Sequence, residues 1–215
     1  MTGVYDCRRP IERAAGIAAA IEVLGRGDLV VLPTDTVYGL AADAFTPPAV
    51  DALLAAKLRG RDMPVGVLVG SWRGLDGLVM AVPAQMRDLV EAFWPGGLSL
   101  VVRHAPSLTW DLGDSRGTVM VRMPLHPVAL EVLRHTGPLA VSSANVSGSP
   151  PASSAAQAQE QLGGAVDVYL EAGSSGEPVA STIVDVTGNR PRLLRAGAVS
   201  VDALREVVPD LDDAG

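Results

Sequence analysis

The sequence predicts an α/β fold in which helices flank one mixed sheet. Short apolar runs alternate with segments of helical periodicity over most of the chain, which favours a layered α/β architecture. The last apolar runs follow one another with no helical segment between them, which indicates that part of the sheet is antiparallel. The chain has 215 residues, a length typical of one domain. We therefore expect a single domain over 1–215, with a core of about 10–207 and an acidic, solvated C-terminal tail.

Helices are predicted where apolar residues recur at helical spacing. The first, Ile11–Leu24, is rich in alanine, and Gly25 and Gly27 end it. The second, Pro47–Lys57, begins with proline, which the first turn of a helix accommodates. Further helices are predicted at Pro83–Phe93, Pro127–His135, Ser153–Leu162 and Val201–Val207.

Strands are predicted where short apolar runs lie between glycine and proline. Leu29–Leu32 ends at Pro33, and Val65–Val69 is bounded by Pro64 and Gly70. Further strands are predicted at Leu98–Val102, Val119–Met123, Leu139–Val141, Val166–Leu170, Thr182–Val186 and Arg192–Leu194.

The composition excludes several classes of protein. With 48% hydrophobic and 19% charged residues the chain reads as an ordinary globular protein, and a net charge of −7 argues against a surface built to bind nucleic acid. The single Cys7 excludes an internal disulfide and a multi-cysteine metal site. Neither a secretory signal nor an apolar stretch of ~18 residues is present, so we expect no membrane span and a cytoplasmic location.

Two distant segments carry polar side chains suited to a polyanion. Lys57 and Arg59 follow the second helix, and Ser143 and Asn145 follow an apolar strand. Each pair alone also fits a structural role, since cations favour helix ends and Ser and Asn favour turns. Ligands of α/β sheets bind beyond the carboxyl ends of strands, however, so the two segments together favour a nucleotide site.

Arg122 is the other conspicuous cation, because it lies within an apolar strand. Its side chain either reaches solvent or points inward, where it requires an anion such as a carboxylate. Familiar catalytic motifs are absent: there is no P-loop and no Gly-x-Ser-x-Gly sequence. The three histidines, His104, His126 and His135, lack the spacing of metal ligands.

Six segments in order resemble the threonylcarbamoyl-AMP synthase family, also called YrdC-like, over nearly the whole chain. The matching segments are Pro33–Leu40, Lys57-x-Arg59, Phe93–Gly96, Val121–Pro124, Ser143-x-Asn145 with Ser147-Gly148, and Ser181–Asp185 followed by Leu194-Arg195. The resemblance implies a twisted mixed parallel and antiparallel sheet with flanking helices and a large concave cavity. It also implies that L-threonine, bicarbonate or CO2, and ATP are converted to threonylcarbamoyl-adenylate and diphosphate.

The resemblance further implies roles for individual residues. The expected catalytic residues, which also bind ATP, are Lys57, Arg59, Ser143 and Asn145. Thr118 and Arg195 match further ATP-binding positions, and the expected threonine-binding residues are Thr36, Arg122 and Ser181. Mg²⁺ is expected to arrive with ATP rather than at a protein metal site. The product would pass to a separate transferase complex that forms threonylcarbamoyladenosine in tRNA, and any direct binding of tRNA is expected to be weak.

The chain departs from the family pattern at several positions. Leu58 stands where the family often has Gly, and Gly60 stands where it often has Pro. Met63 replaces a common Asn or His, Ser142 replaces a common Pro, and Leu125 replaces a common Asn. Two alternative functions remain open. One is an RNA-binding module without nucleotidyl transfer. The small number of aromatic residues argues against it, because bases stack on aromatic side chains. The other is a carbamoyl-phosphate-linked module of the kind found in hydrogenase-maturation proteins.

Overall fold

The computed structural model describes residues 2–75, 77–176 and 179–213, which form ten strands and six α-helices. The strands are β1 Gly3–Asp6, β2 Val30–Leu32, β3 Gly39–Asp43, β4 Gly66–Leu68, β5 Leu98–Arg103, β6 Thr118–Arg122, β7 Leu139–Ser143, β8 Val168–Glu171, β9 Thr182–Asp185 and β10 Arg192–Arg195. The helices are α1 Pro10–Gly25, α2 Pro47–Ala56, α3 Ala84–Phe93, α4 Pro127–Thr136, α5 Ala155–Leu162 and α6 Val201–Val207. Within these ranges no helix is long and apolar enough to cross a membrane.

All ten strands join one sheet in the order β1-β8-β2-β3-β7-β4-β6-β5-β9-β10. The pairs β1–β8, β2–β8, β4–β6 and β5–β9 are parallel, and the other five neighbouring pairs are antiparallel. The predicted mixed sheet is therefore confirmed. The crossovers bring β7 and β6, which carry predicted site residues, to either side of β4 near the middle of the sheet.

Two strands were missing from the sequence prediction. Gly3–Asp6 has only two strand-favouring residues, Val4 and Tyr5, between glycine and aspartate, and Gly39–Asp43 is mostly glycine, alanine and aspartate, which have low strand propensity. Neither segment reads as an apolar run. Pairing with neighbouring strands overrides that local preference, and Gly39 lies opposite Ser143 in the β3–β7 ladder. The last predicted strand residue before Ser143 was Val141, whereas β7 continues to Ser143 itself.

The C-terminal segment is not the solvated tail that the sequence predicted. Leu211 is buried, and Asp212 exchanges main-chain hydrogen bonds with Pro191 and Leu193. The carboxylates add ion pairs, including Asp213 with Arg205 at 2.7 Å. A buried leucine and two backbone bonds are enough to hold this segment against the sheet edge.

The two faces of the sheet are covered differently. On one face α1 and α4 pack over the half of the sheet that contains β8, β2 and β3, and their cluster extends to Leu139 of β7 and Leu68 of β4. Strands β6, β5, β9 and β10 contribute no residue to that cluster. Half of this face is therefore left without a helix, and it becomes the floor of a cavity.

Candidate active site

The cavity has a volume of about 480 Å³ and lies on the uncovered half of the sheet. Alternate residues of neighbouring strands line it, as expected for side chains that share one face. They include Ser99 and Val101 of β5, Thr118, Met120 and Arg122 of β6, Val141 and Ser143 of β7, Ser181 and Ile183 at β9, and Arg195 of β10. A Cβ at Gly66 of β4 would meet the terminal methyl of Met120, so glycine there leaves room for that side chain on the cavity floor.

Arg122 points inward and is 7% exposed. Its Nη2 donates to Oδ1 of Asp35 at 2.6 Å, and its Nη1 donates to Oγ1 of Thr36 at 2.7 Å. Its Nε donates to the main-chain O of Gly96 at 2.8 Å. Burial lowers the pKa of Arg122, and the ion pair with Asp35 opposes that shift by favouring the charged form. Three of five donors are used, so the guanidinium is held rigidly and can still donate to a ligand.

Asp35 is the anion that Arg122 requires, and the sequence analysis did not pair the two. Oδ1 of Asp35 also accepts from the main-chain N of Leu125 at 2.8 Å. The carboxylate thus ties the turn after β2 to the segment that follows β6. In the sequence, Arg122 stands out within an apolar strand and Asp35 within a polar motif. Their spacing along the chain, however, does not predict that the two side chains form an ion pair.

The hydroxyl of Thr36 is positioned by a tight local turn. Oγ1 of Thr34 donates to the main-chain O of Val37 at 2.6 Å and accepts from the main-chain N of Thr36 at 3.2 Å. The two threonine hydroxyls lie 3.1 Å apart. Thr36 is 3% exposed and lines the cavity beside Arg122.

Arg195 and Ser181 form the neighbouring part of the cavity wall. Nε and Nη2 of Arg195 donate to the main-chain O of Ser181 at 3.0 and 2.8 Å. Nη2 also donates to the Oγ of Ser181 at 3.1 Å. Burial lowers the pKa of Arg195, as it does for Arg122. One residue expected to bind ATP is therefore in direct contact with one expected to bind threonine.

Arg59 lies at the other side of the cavity and is half-buried. Its Nε and Nη2 donate to the main-chain O atoms of Met63 and Pro64 at 2.6 and 3.0 Å. Its Nη1 donates to the Oγ of Ser142 at 3.3 Å. Ser142, which departs from the family pattern, therefore provides a hydroxyl for Arg59 that a proline could not. Met63 contacts Arg59 through its main-chain carbonyl rather than through its side chain.

Lys57 is not at the cavity surface, in contrast to the expectation from sequence. Its side chain is 1% exposed, and its Nζ donates to the main-chain O atoms of Ser143 and Asn145 at 2.5 and 2.6 Å. Burial, followed by repulsion from Arg59, lowers the pKa of Lys57 to about 8. The helix ends one residue before Lys57, and the following Leu58 has a φ of 51°, so the chain reverses and turns Lys57 inward.

Ser143 lines the cavity, whereas Asn145 lies behind it. Nδ2 of Asn145 donates to the main-chain O atoms of Val146 and Ser149 at 2.9 and 2.8 Å, which closes the turn after β7. Its Oδ1 is buried and has no hydrogen-bond partner among the described residues. Lys57 and Asn145 therefore shape the segment that presents Ser143.

Thr118 lines the cavity at the start of β6, and its Oγ1 donates to the main-chain O of Ser115 at 2.8 Å. The lining contains three arginines and no carboxylate among the described residues. In the same ranges no group of three or more His, Cys, Asp or Glu side chains could hold a metal ion. The cavity thus suits an anionic ligand in a protein whose net charge is −7.

Comparison with known proteins agrees with this geometry. The family model for Sua5, YciO and YrdC proteins, described as "Telomere recombination", matches residues 22–197. The chain belongs to the Sua5/YciO/YrdC family. The matched residues include all nine predicted site residues, Thr36, Lys57, Arg59, Thr118, Arg122, Ser143, Asn145, Ser181 and Arg195.

Members of the Sua5/YciO/YrdC family resemble the chain over most of its length. A Mycobacterium tuberculosis protein provisionally named threonylcarbamoyl-AMP synthase is 61% identical over 208 residues, which is 97% of this chain and 96% of that protein. The Bacillus subtilis threonylcarbamoyl-AMP synthase is 34% identical and matches 89% of this chain, but 56% of its own length. The structure of Pyrococcus abyssi Sua5 complexed with L-threonine superposes with a TM-score of 0.94 at 33% identity, covering 99% of this chain and 63% of that one.

Proposed function

We infer that this protein is a threonylcarbamoyl-AMP synthase, which converts L-threonine, bicarbonate or CO2, and ATP to threonylcarbamoyl-adenylate and pyrophosphate. The observation that carries the inference is one cavity lined by three arginines, with Arg122 and Arg195 near each other and Arg59 beside Ser142 of β7. ATP and an amino-acid carboxylate both need such donors. A Mycobacterium tuberculosis relative of matching length carries this enzyme's name provisionally, and a Pyrococcus abyssi relative carries it over a longer chain, of which this chain matches 62%. The structure of P. abyssi Sua5 is complexed with L-threonine.

For threonine, we propose a site formed by Arg122, Thr36 and Ser181. The two free donors of Arg122 suit a carboxylate, and Asp35 keeps the guanidinium in one orientation through its 2.6 Å bond. Two hydroxyls nearby can hold the remaining oxygen or the side-chain hydroxyl of the amino acid.

For ATP, we propose that Arg59 and Arg195 contact the phosphates and that Ser143 and Thr118 supply hydroxyls. Lys57 and Asn145 act through the main chain rather than on the nucleotide. Lys57 braces the carbonyls of Ser143 and Asn145, and Asn145 closes the turn, so loss of either would misplace Ser143.

The chemistry needs positioning and charge stabilisation rather than a covalent nucleophile. The amine of threonine attacks the carbon of CO2 and loses a proton, or attacks the carbon of bicarbonate with loss of one of its oxygens as water; either route leaves a carbamate. A carbamate oxygen then attacks the α-phosphorus of ATP, and the bond to the bridging oxygen breaks so that pyrophosphate leaves with the electron pair. Negative charge develops on the phosphate oxygens, where arginine donors such as Arg59 are most effective.

Mg²⁺ enters this proposal as part of the substrate, MgATP. The cavity lining has arginines and hydroxyls but no carboxylate among the described residues, so it suits the phosphates rather than a bare cation. Mg²⁺ loses its water reluctantly and is often bound largely through substrate phosphates.

We propose that the adenylate is handed to a separate transferase complex that modifies tRNA, in the cytoplasm. The RNA-binding alternative ranks second because the net charge is −7 and the cavity arginines are assigned to the substrates. Any direct tRNA binding should therefore be weak, steeply dependent on salt, and in competition with ATP.

The test of the function is release of pyrophosphate from ATP, measured with threonine and bicarbonate each omitted in turn. The proposal predicts release only when both are present. Equal release without threonine would contradict the assignment, and serine in place of threonine is the matched control.

A further inference from the structure

Ser99 is a buried polar side chain that has no role in the reaction described so far. It lies in β5, is 1% exposed, and its Oγ is 2.8 Å from the Oγ of Ser181. Strands β5 and β9 are parallel, and Ser99 lies opposite Ile183. Ser99 and Ser181 are therefore diagonal neighbours on the sheet face that lines the cavity.

The direction of the bond between the two hydroxyls follows from their donors and acceptors. A serine hydroxyl has one proton to donate and two lone pairs. Among the described residues the hydroxyl of Ser99 meets only the Oγ of Ser181, so its proton has no other acceptor. Within the same ranges the proton of Ser181 has no other acceptor either, and both serines border the cavity, but Ser181 is 7% exposed and Ser99 only 1%. The more exposed hydroxyl is the one that can donate to a ligand, and a buried donor without a partner is destabilising, so Ser99 donates and Ser181 accepts.

Both lone pairs of the Ser181 hydroxyl are then occupied. One accepts from Ser99, and the other accepts from Nη2 of Arg195 at 3.1 Å. The two bonds from Arg195 to the main-chain O of Ser181 fix that guanidinium in place. The proton of Ser181 has no remaining acceptor in the described part of the chain, and the hydroxyl borders the cavity.

We propose that Ser99 is a positioning residue that, together with Arg195, fixes the hydroxyl of Ser181 as a hydrogen-bond donor to an oxygen anion of the bound amino acid. The inference rests on the proposed function, in which that anion is the carboxylate of threonine. An ammonium or amine group would meet no free lone pair on Ser181. The amino acid is therefore oriented with its carboxylate toward Ser181 and its amine toward the rest of the cavity.

Titration calorimetry with threonine tests this role, in the presence of an ATP analogue that cannot release pyrophosphate. Ser99→Ala should weaken threonine binding about fivefold to tenfold, the effect of losing one ordinary hydrogen bond, and change ATP affinity by less than about twofold. Ser99→Thr, which keeps the hydroxyl, should retain threonine affinity within about twofold. In the Ser181→Ala background Ser99→Ala should have no further effect, because its influence passes through Ser181.

Equal losses of threonine and ATP affinity in Ser99→Ala, or additive losses in the double variant, would overturn the inference in favour of a structural role. Unchanged threonine affinity in Ser99→Ala, with normal binding by the unmodified protein, would overturn this inference alone. If the unmodified protein bound ATP but no threonine, the proposed function would fail together with it.

Discussion

The ammonium group of Lys57 donates to the main-chain oxygens of both Ser143 and Asn145, at 2.5 and 2.6 Å. One buried cation thus joins the end of the second helix to the segment after β7, which are distant in sequence. Lys57 is 1% exposed, so this link belongs to the interior rather than to the cavity surface.

Lys57→Ala should lower the free energy of unfolding by about 2 kcal/mol or more, because it removes a buried side chain and two hydrogen bonds. Arg59→Ala is the matched control, and we expect it to cost about 1 kcal/mol or less, since its side chain is half-buried. Urea unfolding of both variants measures the difference. Equal stability of the two would show that Lys57 does not brace the segment.

The pH dependence of stability should report the buried amine of Lys57. Its pKa is lowered by burial to about 8 in the folded protein from an ordinary value of 10.5, so the unfolded chain binds more protons between these values. The stability of the unmodified protein relative to Lys57→Met should therefore rise with pH from about 8 to 10.5. Below about 8 the difference should be constant. A stability difference between the unmodified protein and Lys57→Met that falls as the pH rises from about 8 to 10.5 would contradict the lowered pKa of Lys57.

Arg122→Lys should weaken threonine binding at least about tenfold and change ATP binding much less. Lysine keeps the charge, but it cannot donate at once to Asp35, Thr36 and the carbonyl of Gly96, as Arg122 does. Calorimetry with each substrate separates the two effects. Asp35→Asn is a useful companion, because it keeps the arginine and removes the charge that orients it. An unchanged threonine affinity in Arg122→Lys would place the carboxylate elsewhere.

Leu58→Gly should raise the free energy of unfolding by about 0.5–1 kcal/mol, because leucine is strained in the left-handed region. Leu58 has a φ of 51° and is 78% exposed, so its side chain contributes little packing. Ala56→Gly, in the last turn of α2, is the control and should lower stability by a similar amount. Destabilisation by both glycines would mean that the backbone at position 58 is not strained.

The sequence predicted the fold class because the spacing of apolar residues within each short segment is enough to distinguish strands from helices. It missed β3 because Gly-Leu-Ala-Ala-Asp has little strand propensity, and only pairing with β2 and β7 makes it a strand. The acidic tail was misjudged for a similar reason, since Leu211 and the bonds of Asp212 are long-range contacts.

Within the site, the residues at strand ends were the most predictable, and Thr36, Ser181 and Arg195 all line the cavity. The orientation of Lys57, at the end of a helix, was not predictable from sequence, because the turn at Leu58 decides which way its side chain points. Partnerships across the sheet, such as Asp35 with Arg122, depend on strand order, which the sequence alone does not give.

If threonine, bicarbonate and ATP are joined in one cavity, carbon from labelled bicarbonate should appear in a nucleotide product. The purified protein would be incubated with carbon-labelled bicarbonate, threonine and ATP, and the nucleotide products would be separated and identified by mass. We expect an AMP-linked product that carries both the labelled carbon and threonine, with one pyrophosphate released for each molecule formed. Unlabelled AMP, or ADP with inorganic phosphate, as the product would contradict it.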